Sequence, residues 1–240
     1  MIHYRYSDGI FKKEWQWFVK PCDITGVAMA TFFSYDNVDV PGFKKKKTLT
    51  SRIDLSPTAD YLWNSMRKKM ICKQIMRGGR NGIRVVQDTN YKEFRNVYTL
   101  FRKHKSIGTD RYDVLQKNGL LFSAYYHDTL IAGGVFIADG RMMRAWVLAS
   151  KRITADNHMR EIIGQANRII LWESIKYAKA QGYAYFDLGG IRPDSENPYD
   201  RSLAEFKESF GGVRTPCYYY SKVYSPTLKT LLRLRRALHL

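Results

Sequence analysis

The sequence predicts a mixed α/β protein with a partly antiparallel central sheet. From residue 90 onward, the patterns indicate a helix, three consecutive strands, a long helix, a strand, a short helix and a last strand. Of the 240 residues, 45% are hydrophobic, which is enough to bury a sizeable core. Helices that alternate with strands usually cover the faces of a mixed sheet. The expected architecture is therefore a mixed central sheet with flanking helices.

The first part of the chain, residues 1–56, contains short strand-like stretches and charged turns. A helix is expected to begin after Ser56, because Ser56 can cap it and Pro57 suits the first helical position. The helix should end at Gly78-Gly79, before a short strand at 83–86. Apolar residues that recur at helical spacing are expected to face the core: Leu62, Met66, Met70 and Ile75.

The remaining elements follow one another with short connections. Residues 90–104 predict an amphipathic helix, and 120–150 predict three strands joined by tight turns, including the hairpin signal Asp139-Gly140. The clearest helix spans 158–182 and ends at Gly182. The last predicted elements are a strand at 183–188, a helix at 201–210 and a strand at 215–224.

The charge of the chain is strongly unbalanced. Forty Lys and Arg residues stand against 22 Asp and Glu residues, which gives a formal net charge of +18. Such a field attracts polyanions, namely nucleic acid, phosphorylated small molecules or an anionic membrane surface. The alternative is a basic but otherwise ordinary soluble protein. Three isolated cysteines favour a reducing cytoplasm, and five histidines without HxxxH or HExxH spacing do not support a metal site.

Two features bear on membranes. No apolar run approaches the roughly 18–20 residues that span a bilayer, and the N-terminus does not resemble a signal peptide, so a cytoplasmic protein is expected. Residues 226–240 predict a basic helix that begins at Pro226 and carries several leucines. Such a helix is typical of peripheral contact, here at the inner face of the membrane. The equal alternative is a helix packed on the domain.

One predicted helix is unusually basic. Residues 64–80 contain no acidic residue and six basic ones: Arg67, Lys68, Lys69, Lys73, Arg77 and Arg80. Like charges at this density repel unless an anion meets them, so anion binding is favoured over a solvated face.

An acid and two glycines end the strand YFDLGGI. This position, after a crossover helix and at the carboxyl end of a strand, is where α/β proteins often keep their chemistry. Asp187 is a candidate base, a hydrogen-bond anchor for the following loop, or a helix cap. Gly189 and Gly190 allow positive φ or a close approach to the backbone.

A single lysine follows in the stretch SLAEFKESF. Lys207 lies beside the apolar face expected for Leu203, Phe206 and Phe210. An ammonium held there could stabilise negative charge that develops on a carbonyl or phosphate oxygen; the alternative is an exposed, solvated lysine. Three nearby arginines would widen an anion pocket: Arg192, Arg201 and Arg214.

Several other chemistries lack their motifs. The chain contains no GxSxG, no cysteine with an evident histidine partner and no GxxxxGK[ST]. A nucleophile triad and ATP hydrolysis are therefore not expected.

Four stretches together resemble FemAB-type enzymes, the peptidoglycan-bridge aminoacyltransferases. They are residues 54–85, the strand IAGGVFI, the strand YFDLGGI and the stretch LAEFKESFGG, and the resemblance covers roughly residues 50–225. It implies a GNAT-like acyltransferase fold and transfer of an amino acid from aminoacyl-tRNA to an amine. The typical acceptor is a peptidoglycan precursor, lipid-linked or nucleotide-linked. Relatives on the same fold use acyl-CoA or acyl-carrier protein.

The resemblance also implies roles for individual residues. Phe206 and Lys207 correspond to a Phe-Lys pair near the donor ester that stabilises the tetrahedral transition state. The residues themselves, rather than the resemblance, assign Gly189 and Gly190 to the donor site and Asp187 to the catalytic residues. Contact with acceptor phosphate or tRNA is assigned to Lys73, Arg77, Arg80, Arg192 and Arg214.

Two departures from the family are visible. FemAB enzymes have two GNAT-like domains, whereas this chain has room for a partial N-terminal half at 1–90, one core at 91–225 and a basic helix at 226–240. CoA-dependent relatives carry [QR]-x-x-G-x-[GA] before the long helix. The aligned residues here are Glu161, Gly164 and Ala166, and an acid at the first position opposes a pyrophosphate.

Three functions therefore remain open. The first is transfer from aminoacyl-tRNA, a co-substrate that requires no further cofactor. The second is N-acyl transfer from acyl-CoA or an acyl-carrier protein, with Gly164 in the donor site. The third, of another class, is a non-catalytic protein that binds nucleic acid or a membrane surface.

Overall fold

A computed structural model describes residues 2–66, 69–105 and 112–237, called the described residues below. The strands are β1 (Ile2–Asp8), β2 (Phe11–Trp17), β3 (Met29–Ser34), β4 (Lys44–Asp54), β5 (Arg84–Asp88), β6 (Leu120–Tyr126), β7 (Thr129–Asp139), β8 (Met142–Ser150), β9 (Tyr185–Ile191) and β10 (Val213–Val223). The helices are α1 (Ala59–Ser65), α2 (Lys69–Arg80), α3 (Tyr91–Lys105), α4 (Tyr112–Asn118), α5 (Asn157–Ala180), α6 (Pro198–Glu208) and α7 (Pro226–Ala237), and a short 3₁₀ helix spans Lys151–Thr154.

The chain forms two compact units. The first contains Met1–Leu49 and Thr215–Leu240, and the second contains Thr50–Arg214. These limits differ from the predicted boundaries after residues 90 and 225. The difference arises because α2 packs against α5, which joins residues 50–90 to the second unit.

The first unit is built mainly from strands, as predicted for residues 1–56. β1 pairs antiparallel with β2, β2 runs parallel to β3, and β3 pairs antiparallel with β10. Ala30 and Phe32 of β3 pack with Tyr218 and Tyr220 of β10, and all four are buried. Alternation of buried and exposed residues along these strands accounts for the core on one face.

The second unit contains a mixed sheet in the order β4-β9-β8-β7-β6-β5. The pairs β5/β6, β6/β7 and β7/β8 are antiparallel. β8 and β9 are parallel, and α5 joins them. Successive side chains along a strand point to opposite faces of the sheet, so its apolar residues form two hydrophobic clusters. Phe122, for example, belongs to the cluster that contains α5, and the adjacent Leu121 to the cluster that contains α3. The predicted mixed α/β class, with helices flanking a central sheet, is confirmed.

The helical region after residue 56 differs from the prediction. Thr58 caps α1 by accepting the N–H of Tyr61 at 3.2 Å, so the helix begins two residues later than Ser56 and Pro57 suggested. Two helices replace the single predicted one, and this changes the phase of the apolar face. Met70 is consequently 55% exposed and Ile71 is buried instead, while Leu62, Met66 and Ile75 are buried as predicted.

The glycine pair does not end this helix. Gly78-Gly79 lies inside α2, which continues to Arg80. A Cβ at Gly78 would lie 2.7 Å from Ile169 Cδ1 of α5. The missing side chain therefore lets the two helices approach closely, a role that the sequence pattern does not distinguish from a helix stop.

Candidate active site

A buried ion pair lies at the centre of the second unit. Asp187 of β9 is opposite Arg144 of β8 in the parallel register, and the guanidinium donates to the carboxylate. Asp187 is completely buried and Arg144 is 4% exposed. Charges buried this deeply are tolerated when they are paired and hydrogen-bonded.

Two further donors contact the Asp187 carboxylate. The Thr50 hydroxyl donates to it and accepts from Arg144 Nη1 at 3.1 Å. The backbone N–H of Gly189 donates to the same carboxylate at 2.6 Å. This geometry agrees with the hydrogen-bond anchor among the three interpretations of Asp187, because the carboxylate fixes the turn that follows its own strand.

Lys207 lies against that turn. Asn197 caps α6 by accepting the N–H of Tyr199 at 2.9 Å, and Pro198 occupies the start of the helix. Lys207 stands in the last turn of α6, where its Nζ donates to the Gly190 carbonyl at 2.8 Å. The structure thus brings together Asp187, Gly189, Gly190 and Lys207.

The environment of Lys207 favours loss of its proton. Burial of the amine, aided by the nearby positive charge of Arg144, lowers the pKa of Lys207 to about 8, and Asp187 acts in the opposite direction. The ordinary pKa of a lysine is 10.5. The residue as a whole is half-buried, and a lysine whose pKa is lowered in this way is found at many functional sites.

Glycines make this close packing sterically feasible. Gly189 has φ +90°, and a Cβ there would lie 3.1 Å from Lys207 Nζ. Directly before β10, a Cβ at Gly212 would lie 2.1 Å from Ser51 Oγ. The lack of a side chain at each glycine thus leaves room for a polar atom, Lys207 Nζ beside Gly189 and Ser51 Oγ beside Gly212.

Gly189→Ala is expected to destabilise the protein by about 1–2 kcal/mol through its positive φ and to impair the site further by crowding Lys207. Gly140→Ala is the matched control, because Gly140 has φ +57° and no atom within 4 Å of its would-be Cβ. Thermal unfolding of both variants measures the shared backbone cost. In Gly189→Ala alone, the new methyl group should displace the Lys207 amine towards water, so a greater loss of stability and a raised Lys207 pKa are predicted. Equal behaviour of the two variants would contradict the crowding.

Phe206 contacts an arginine of the long helix. The Arg168 guanidinium carbon lies 5.4 Å from the centre of the Phe206 ring, and Arg168 Nη1 donates to the Gly164 carbonyl at 2.7 Å. Burial, with a contribution from Arg152, lowers the pKa of Arg168. Phe206 therefore packs beneath a cation as well as against Phe210, whose ring centre is 5.4 Å away.

The residues aligned with a pyrophosphate loop do not form a loop. Glu161, Gly164 and Ala166 lie inside α5, which begins at Asn157. Their placement before the long helix was wrong. Asp156 caps α5 by accepting the N–H of Met159 at 2.8 Å, so a carboxylate occupies the helix end where an anion would bind.

The arginines of the predicted anion pocket have local partners. Arg192 lies 3.5 Å from the Asp200 carboxylate, and Arg214 Nε lies 2.6 Å from Glu208 Oε1. Arg201 donates to two backbone carbonyls, those of Ser195 and Glu196, at 2.8 Å each. Their proposed contact with an anion remains a prediction.

The basic helix is partly neutralised. Lys73, Arg77 and Arg80 are exposed on α2, but Arg77 Nη1 lies 2.6 Å from Glu161 Oε1 of α5. The acidic partner of Arg77 comes from a distant part of the sequence, so the absence of acidic residues within the helix does not reveal it. Arg67 and Lys68 lie outside the described residues, and the side chain of Lys69 is not described.

Two residues of the site were missed by the sequence analysis. Arg144 could have been found, because an arginine in the middle of the apolar strand MMRAWVLAS requires a buried partner. Thr50 offers no comparable signal, since threonine is common in strands.

Comparison with known proteins gives structural matches only. No family model matches the chain, and no curated protein matches it in sequence. Among solved structures, FemX aligns with a TM-score of 0.63 and 13% identity over 85% of this chain and 74% of its own. The C-terminal domain of an Agrobacterium fabrum protein assigned as a lysylphosphatidylglycerol synthetase aligns with a TM-score of 0.56 and 13% identity, over 98% and 83% of the two chains.

A further match is L-PGS from Bacillus licheniformis, with a TM-score of 0.54 and 16% identity over 87% of this chain and 72% of its own. At these identities the likeness concerns the fold. The chain therefore shares the fold of FemX, as the resemblance to FemAB-type enzymes predicted.

Proposed function

We propose that the protein is an acyltransferase that moves an aminoacyl group from aminoacyl-tRNA to an amine acceptor. The observation that carries this proposal is the position of Lys207, whose amine meets the Gly189-Gly190 turn above a buried ion pair. The fold that the chain shares with FemX and with proteins named as lysylphosphatidylglycerol synthetases supports it.

The reaction begins when the acceptor amine attacks the carbonyl carbon of the aminoacyl ester. A C–N bond forms, and the carbonyl oxygen becomes an oxyanion that the Lys207 ammonium stabilises. The C–O bond to the tRNA ribose then breaks, and the leaving hydroxyl takes the proton released by the amine, relayed by the vicinal hydroxyl. The products are an amide and deacylated tRNA.

The surrounding residues position these groups. Asp187 accepts hydrogen bonds from three donors, so it orients the turn and Lys207 rather than removing a proton. Phe206 and the glycine turn border the space for the ester. Lys73, Arg77 and Arg80 supply positive charge for tRNA or for a phosphate-bearing acceptor, such as a lipid-linked or nucleotide-linked cell-wall precursor.

A CoA donor is the second candidate. Asp156 at the start of α5 argues against it, because the carboxylate occupies the helix end that would otherwise hold pyrophosphate. A protein that only binds nucleic acid or a membrane surface does not require a buried lysine with a lowered pKa, so this property of Lys207 disfavours the non-catalytic alternative.

The rate should depend on the protonation of Lys207. Because its pKa is lowered to about 8, the ammonium is present below that pH and is lost as pH rises through it. The ratio of the wild-type rate to the Lys207→Met rate should therefore fall towards one above pH 8. Protonation of the donor and the acceptor affects both rates equally, so it cancels in this ratio. A ratio that rises with pH would instead identify Lys207 as a general base.

The donor is tested by mixing the protein with tRNA charged with radiolabelled amino acids and, in parallel, with labelled acetyl-CoA. Both mixtures contain cell-wall precursors and simple amines. Acceptor-dependent loss of label from tRNA is expected. Turnover of acetyl-CoA alone would support the second candidate, and binding of tRNA with steep salt dependence but no turnover would support the non-catalytic one.

A further inference from the structure

Exposed apolar side chains collect on two elements of the first unit. Ile10, in the turn between β1 and β2, is 88% exposed, and Leu231 and Leu234 of α7 are 53% and 56% exposed. Leu228 is 3% exposed and anchors α7 to the unit. Leu231 and Leu234 are three residues apart, so they project from the same side of the helix.

Backbone hydrogen bonds hold these two elements together. The N–H of Ala28 donates to the Lys12 carbonyl at 2.7 Å, just after the turn that carries Ile10. The Ala28 carbonyl accepts from Tyr224 and Ser225 at 2.9 and 3.2 Å, at the start of α7. Ala28, which directly precedes β3, thus connects the turn end of the β1–β2 hairpin with the two residues that precede α7.

A charge interaction also connects α7 with the hairpin. The hydrogen bond from Lys13 does most to lower the pKa of Asp8, and the charge of Arg235 lowers it further. The opposite charges of Arg235 and Asp8 therefore attract each other.

The exposed leucines are surrounded by positive charge. α7 contains no acidic residue, and Lys229, Arg233 and Arg235 are exposed along it. We call Ile10, Leu231, Leu234 and these three basic residues the hairpin–helix surface. Within the described residues, no helix is long and apolar enough to cross a bilayer.

We propose that the hairpin–helix surface docks the protein on a bilayer that contains anionic lipid. The basic residues meet lipid head groups, and the three apolar side chains enter the boundary between head groups and acyl chains. Nucleic acid fits this surface less well, because it would satisfy the charges and leave the isoleucine and leucines in water. This inference does not depend on the proposed acyl transfer.

The test uses the full chain and sedimentation with lipid vesicles. Vesicles of equal parts phosphatidylglycerol and phosphatidylcholine should bind the protein, and pure phosphatidylcholine vesicles should bind it much more weakly. The double variant Leu231→Glu/Leu234→Glu should lose about tenfold or more in affinity for the anionic vesicles.

The matched control is Tyr61→Glu/Met76→Glu, which makes the same charge change at residues that are 63% and 48% exposed in the second unit. It should lose much less affinity. Equal losses in both double variants, or a greater loss in the control, would overturn the proposal. So would unchanged vesicle binding in the α7 variant accompanied by weaker binding of tRNA, which would assign the surface to nucleic acid. Thermal unfolding of each variant verifies that it folds.

Discussion

Lys207→Met is expected to slow aminoacyl transfer about a hundredfold or more, which is the usual effect of removing one donor from an oxyanion site. Methionine keeps the length and apolar stem of the side chain but cannot stabilise negative charge. The melting temperature at neutral pH should be unchanged or higher. The reason is that burial lowers the pKa of Lys207, so the charged form destabilises the folded state at every pH below about 8.

Lys92→Met provides the control, because Lys92 is exposed on α3 and outside the site. This variant should transfer at the wild-type rate. Single-turnover rates with saturating protein measure the chemical step for both variants. Near-normal transfer by Lys207→Met would remove Lys207 from the reaction, whereas a large drop in its melting temperature would mean that the lysine is structural.

Arg144→Met is expected to destabilise the protein by about 3–5 kcal/mol, since it leaves the buried carboxylate of Asp187 without its guanidinium. For a chain of this size, the melting temperature should fall by roughly 6–20 °C. The double variant Arg144→Met/Asp187→Asn removes both charges and should recover part of that loss. Thermal unfolding of the single variants and the double variant gives the coupling between the two residues.

The control for this pair is Arg192→Met. Arg192 also faces an aspartate, at 3.5 Å, but its side chain is 74% exposed. Its loss should change stability by less than about 1 kcal/mol, as for most surface ion pairs. A similar small effect for Arg144→Met would contradict the role given to the buried pair. A loss of stability in Arg144→Met/Asp187→Asn that equals the sum of the two single losses would contradict it as well.

The regular elements follow closely from local patterns. The turns of the β6–β8 meander and the long apolar helix α5 are encoded within windows of ten to twenty residues, so their order and type were predicted correctly. The same holds for the strand YFDLGGI and the lysine-bearing helix after it. At α1 and α2, the spacing of apolar residues did not predict the structure correctly. The predicted single helix is two helices, so Ile71 faces the core in place of Met70.

The buried network of the site could not be derived in this way. Asp187 lies 43 residues from Arg144 and 137 residues from Thr50 along the chain, and sheet order and register bring the three together. Arg77 likewise finds Glu161 only because α2 packs on α5. Sequence identified the residues nearest the proposed chemistry, whereas tertiary packing determines which groups hold them in place.

The most direct measurement is the mass of the acceptor after reaction. The protein would be incubated with aminoacyl-tRNA and an amine acceptor, and the acceptor would then be recovered and analysed by mass spectrometry. A mass increase of one aminoacyl residue, in an amide that resists mild base, is predicted when protein, charged tRNA and acceptor are all present. Release of the amino acid in free form, or an unmodified acceptor under every condition, would contradict aminoacyl transfer.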